Sequence, residues 1–138
     1  MEEAKNKVSQ EVAEAEFDRF CEEMDIENDE SVLDEEDLTQ WLKGKRRLVK
    51  AMMNGSLVIN ENGEAVYTPQ KSGDIAPLTF HESTVADLMV MDGKKKGHDV
   101  SKTIGVIAAM TKTTPATLSK LRGVDSKVML ALFALLMD

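Results

Sequence analysis

The densest set of metal-capable side chains lies between Asp25 and Glu36. With Asp25 as the first position, Glu27, Asp29 and Glu36 fall third, fifth and twelfth, the spacing at which a calcium loop presents its oxygens. Such a loop turns sharply at its sixth position and needs glycine there, but that residue is Glu30. The segment therefore reads as a solvated acidic linker, and no metal is expected. The two histidines, His81 and His98, sit beside loop-like sequence and read as surface or capping residues. His-x-x-His, C-x-x-C, G-x-S-x-G and glycine-rich phosphate loops are absent from the sequence, so no enzyme and no cofactor are expected.

One further pattern could bind a polymer. Ile107 to Leu121 has the apolar spacing of two crossing helices, as in a helix-turn-helix, with Thr117, Ser119, Lys120 and Arg122 on the outside. Lys120 and Arg122 would then meet DNA. Affinity for DNA comes mostly from basic groups neutralising phosphates, and these are sparse here. Lys112 also stands where such turns usually carry glycine. A DNA-binding regulator is the alternative reading, and nucleic acid is not the expected partner.

The elements that would position these residues are mostly helical. Residues 2–24 form a charged helix with a loose stripe of Val8, Val12, Ala15, Phe20 and Met24, read as a separable arm. A second helix runs from about Asp34 to Met53. Leu38, Trp41, Leu42, Val49, Met52 and Met53 share one face, acids stand at its start and bases follow. Asn54-Gly55 stops it. Residues 57–61 and 64–68 flank Asn62-Gly63, predicting a hairpin with a two-residue type I′ turn that pairs Ile59 with Val66 and Val58 with Tyr67. Leu78-Thr79-Phe80 adds a short third strand. Thr84 caps a short helix with Val85, Leu88 and Met89 inward. Asp92-Gly93 ends it, and Lys94-Lys95-Lys96 makes a basic turn. Next comes a helix with Val100, Ile104, Ile107, Ala108 and Met110 apolar, then one opened by Thr114-Pro115 and closed by Gly123. The fold class is α+β, mostly helical: an arm with a long amphipathic helix over residues 1–55, then a β-hairpin and a cluster of short helices over 56–138.

Charge divides the chain the same way. Residues 1–40 hold 16 acidic and 3 basic side chains, a net of −13; the remainder holds 9 and 14, a net of +5; together they give −8. The single Cys21 excludes an internal disulfide and suits a reducing compartment. The acidic start Met1-Glu2-Glu3-Ala4 lacks the pattern of a secretory leader.

The run Val128 to Met137 has no polar side chain. It is too short to span a bilayer, which takes about 20 such residues, and it is apolar on every side. Asp125 with Ser126 reads as its N-cap. Its own chain can shield one side, and the other needs a second helix of the chain, a second copy or a partner. The run is therefore either the central core helix of a small bundle or an interface for an apolar partner. Leu132, Phe133, Leu135, Leu136 and Met137, with Met89 and Met91, are the candidate contact residues. Nine methionines suit a surface that accepts several apolar shapes.

The run Pro77 to Leu88, with Leu78-Thr79-Phe80, Glu82, Thr84 and Asp87-Leu88, resembles the opening of phage tail assembly chaperones of the Mu-like type. Ile107 to Thr111, Thr114 to Leu121 and Val124-Asp125 resemble that family's later series. The resemblance spans about residues 66–138. It departs at Ser83, where the family often has proline, and leaves residues 1–53 without counterpart. It implies a non-enzymatic chaperone of the host bacterial cytoplasm, absent from the mature virion. The tape-measure protein would be its client, and the tail tube protein or a second copy further partners.

Overall fold

The computed structural model describes residues 8–27, 29–82, 84–89 and 99–136. Its elements are α1 (Gln10–Glu23), a 3-10 turn (Glu30–Val32), α2 (Glu35–Met53), β1 (Leu57–Ile59), β2 (Ala65–Tyr67), β3 (Leu78–Phe80), α3 (Val85–Met89), α4 (Asp99–Thr111), α5 (Pro115–Leu118) and α6 (Val124–Leu136). This is the expected mostly helical α+β fold, with an antiparallel sheet ordered β1-β2-β3. The helix starts follow the capping rule. Ser9, Asp34 and Thr114 each accept a backbone N–H from three residues on, and Pro115 opens α5.

Helix α1 is bound into the core. Ala13, Phe17, Phe20 and Cys21 are buried, at spacings of four, three and one along a single helical face. The stripe through Val8 and Val12 is corrected: Val12 is 49 % exposed. The N–H of Val8 donates to Met53 O, so the two long helices run antiparallel. Phe17 meets Trp41 edge to face, 5.9 Å between centroids. Arg19 Nη2 donates to Ile59 O, fastening α1 to the first strand. On α2 the enclosed residues are Leu48, Val49, Ala51 and Met52; Leu42, expected on that face, is 38 % exposed.

The hairpin register differs from expectation by one residue. Leu57 faces Tyr67, Val58 faces Val66 and Ile59 faces Ala65. A one-residue slip sends side chains to opposite faces. The observed register puts Leu57, Ile59, Ala65 and Tyr67 together in the core; the expected one would have turned Tyr67 outward. The turn is longer than two residues. Asn60 N–H donates to Glu64 O, Gly63 N–H donates to Asn60 O, and Gly63 alone in the loop is left-handed, at φ 81°. That is a three-residue loop closing on a glycine bulge. A Cβ on Gly63 would lie 2.6 Å from the Glu23 side chain, so the loop also needs glycine to approach α1.

The C-terminal helices cover the sheet. Val106, Ile107, Ala108, Met110, Leu118 and Leu121 are buried. Val85 and Met89 are not inward as expected, because α3 is a single short turn that turns both outward; Met89 is 62 % exposed. The basic turn at Lys94–Lys96 and His98 lie outside the described residues.

Helix α4 ends where Lys112 takes φ 55°. Thr113 N–H closes back to Ala108 O at 2.9 Å, the closure normally made around glycine. A side chain in that conformation costs roughly 1–2 kcal/mol. Lys112→Gly is expected to gain about 0.5–1 kcal/mol after the added freedom of the unfolded chain is subtracted. A higher urea midpoint at unchanged slope would show it; an equal or lower midpoint would refute it.

Candidate functional site

The last helix is set in place by a carboxylate. Asp125 is not the cap outside the helix but lies in its first turn and is fully buried. One oxygen, Oδ1, accepts from Tyr67 Oη at 2.5 Å and Gln70 N–H at 2.7 Å. The other, Oδ2, accepts from Lys71 N–H and Ser72 Oγ, each at 2.7 Å. Burial pushes the Asp125 pKa up. The Gln70 amide, the Tyr67 hydroxyl, Ser72 and the Lys71 amide outweigh it, and the carboxyl sits below its ordinary range. The Tyr67 phenol moves the other way, raised by burial and then by the facing carboxylate. Ser72 Oγ accepts from Arg122 N–H, and Arg122 Nε donates to Lys71 O. Every acceptor site of the carboxylate is used by the protein, so this is a fastening, and it fixes where α6 runs.

Along α6 the candidate contact residues divide. Leu132 is fully enclosed, and Leu135 is 8 % exposed. Both serve the protein's own core, because α2 packs along that side of the helix. Phe133 and Leu136 are partly buried against the same core. Met89 is exposed on α3; Met91 and Met137 lie outside the described residues. The helix is nonetheless incompletely covered, and two apolar grooves flank it.

The first groove, about 340 Å³, runs between α2 and α6. Leu33, Trp41, Gly44, Ala131, Ala134 and Leu135 line it, with Lys45, Asp37 and Gln40 at its polar edge. Gly44 lies in the middle of a 19-residue helix, and a Cβ added there would meet nothing within 4 Å. Glycine in a helix interior costs about 1 kcal/mol relative to alanine. No packing constraint explains it at this place; the bare backbone simply deepens the groove. The second groove, about 440 Å³, lies between α4, α5 and α6. Ile104, Leu118, Leu121, Met129 and Leu130 form its walls, and Leu130 is 48 % exposed. The periodicity of α6 drew attention to its most enclosed leucines. The grooves instead turn on Gly44, Trp41 and Leu130, and an isolated glycine inside a helical pattern was the legible signal.

The remaining polar chemistry is local. His81 Nδ1 lies 2.7 Å from Glu64 Oε2. The His81 ring and the Asn60 amide hold the Glu64 carboxyl below its usual range. Burial, then Asp18, pushes the Cys21 thiol up to about 12, so the thiolate that reagents attack is scarce. Among the described residues no three His, Cys, Asp or Glu side chains group to hold a metal ion. Asp25, first in the calcium-like spacing, is instead the left-handed residue that ends α1, at φ 55°. Helix α5 has four residues, and Arg122 is turned back onto Lys71. One turn is too short to lay several side chains along a major groove. No described helix is long and apolar enough to cross a membrane.

No family model, no curated protein and no solved structure matches this chain.

Proposed function

We propose that this protein is a non-enzymatic holdase for an apolar helical client, specifically a phage tail assembly chaperone. It would keep the tape-measure protein soluble in the host bacterial cytoplasm until the tail tube assembles around it. One observation carries the reading: an apolar groove beside α6 whose floor is a mid-helix glycine that internal packing does not require. An amphipathic helix recognised in a groove lays a few apolar anchors into it, and a floor without side chains admits them. The likeness of residues 66–138 to Mu-like tail chaperones supplies the identity of the client. The shallow grooves suit a weak grip at each contact, and many copies along one long client add avidity.

Gly44→Leu tests it without threatening the fold. Leucine is the better helix former by about 1 kcal/mol, and its side chain would fill the groove. Wild-type protein co-expressed with the tape-measure protein of the same phage is expected to hold that client in the soluble fraction and co-purify with it. Gly44→Leu should keep or raise the melting temperature and lose most of the client. Undiminished capture by Gly44→Leu, or no capture by the wild type, would overturn the assignment. Retardation of non-specific DNA at low salt would revive the regulator reading.

A further inference from the structure

On a different face of α2 from the groove, Glu35, Thr39, Leu42 and Arg46 are all exposed at spacings of four, three and four, so they form one stripe along the helix. Glu36 flanks the acidic end, and Lys43 and Lys50 flank the basic end. The structure places a shallow depression at each end of this stripe. One is lined by Glu35, Glu36, Thr39 and Gln40. The other has Lys43, Arg46, Arg47 and Lys50 on one side and Tyr67, Gln70 and Val124 on the other. Among the described residues none of these four bases is in an ion pair; the pairs formed are Arg19 with Glu16, Lys45 with Glu30 and His81 with Glu64.

We infer that this face of α2 docks on the same face of a second copy, the two helices antiparallel across a two-fold axis. The stripe is self-complementary. From Glu35 to Arg46 is eleven residues, about 16 Å along the axis. Reversing one helix on the other sets Glu35 and Glu36 of each copy against Arg46 and Arg47 of its mate. The exposed Leu42 then meets the middle of the opposite stripe. An isologous interface requires such self-matching, and the parallel alternative would set like charges together. A single-helix contact is small and its ion pairs are solvent-exposed, so the dimer is weak and reversible. This inference does not depend on the client-binding reading.

Sedimentation velocity on the full chain tests it. At low salt, roughly 0.05 M, the wild type is expected to shift from monomer to dimer as concentration rises. At roughly 0.5 M salt its dissociation constant should increase about tenfold. Glu35→Lys with Glu36→Lys, and separately Arg46→Glu with Arg47→Glu, should each be monomeric. An equimolar mixture of the two variants should dimerise again, because each acid end then faces a basic one. Helical circular dichroism checks each variant, and the single reversals Glu36→Lys and Arg46→Glu serve if a double reversal loses it. A monomeric wild type at low salt overturns the inference, as do assemblies that grow beyond the dimer. So does a mixture that stays monomeric while both variants are folded.

Discussion

Asp125→Ala is expected to destabilise the protein by about 3–5 kcal/mol, because it leaves buried donors without an acceptor. Tyr67 Oη, the Gln70 and Lys71 amides and Ser72 Oγ all point at the missing group. Asp125→Asn should cost nearly as much, since its amide would face the Lys71 amide donor-to-donor. The hub also sets the shape of the pH profile. The folded Asp125 carboxyl titrates below its ordinary value, so in acid the unfolded chain binds a proton before the folded one does. Its contribution is complete above the unfolded pKa, about 3.9, and disappears as pH falls through the lower folded value. The raised Tyr67 phenol adds an alkaline loss. The unfolded tyrosine ionises near pH 10 while the folded one resists, so stability falls above that pH. Urea midpoints across pH should show both limbs in the wild type, and Asp125→Asn should flatten the acid one. A variant melting within about 1 kcal/mol of wild type would mean the hub contributes little.

Phe17→Ala should cost about 3–5 kcal/mol, and removal of residues 1–24 should abolish cooperative folding of what remains. Phe17 and Phe20 are wholly enclosed. Phe17 also carries the edge contact to Trp41, and the Lys45 ammonium lies 5.6 Å above its ring. A melting temperature lower by roughly 10–15 °C is the expected signature. A truncated chain that keeps dispersed amide resonances for the sheet and α4–α6 would refute the integration of α1, and would restore the separable arm suggested by its charge.

The sequence made element types plain where local chemistry decides them. Ser9, Asp34, Thr114-Pro115 and Asn54-Gly55 mark ends that backbone hydrogen bonding then makes. What it hid was decided at long range. Nothing local says that Phe17 rather than Val12 turns inward, because that depends on α2 lying alongside. Asn62-Gly63 carried the signal for a tight turn, yet Glu23 and the inward demand of Tyr67 selected a longer loop. Asp125 had the composition of a cap; its burial follows from a segment more than fifty residues earlier. The groove was half legible. The apolar run announced an excess of greasy surface, but which leucines the core would claim could not be read from periodicity when every position is apolar.

The bonds joining Asp125 to residues 67–72 also order events in time. While the protein is being synthesised, the three strands emerge long before residue 125 exists. Until it does, the Tyr67 hydroxyl and two adjacent amides have water as their acceptor, and α2 lacks the helix that packs along it. Contacts so distant along the chain close slowly, so a nascent chain passes through an interval in which its own oily surfaces are bare. The protein is itself vulnerable to clumping on the ribosome until the closing aspartate arrives.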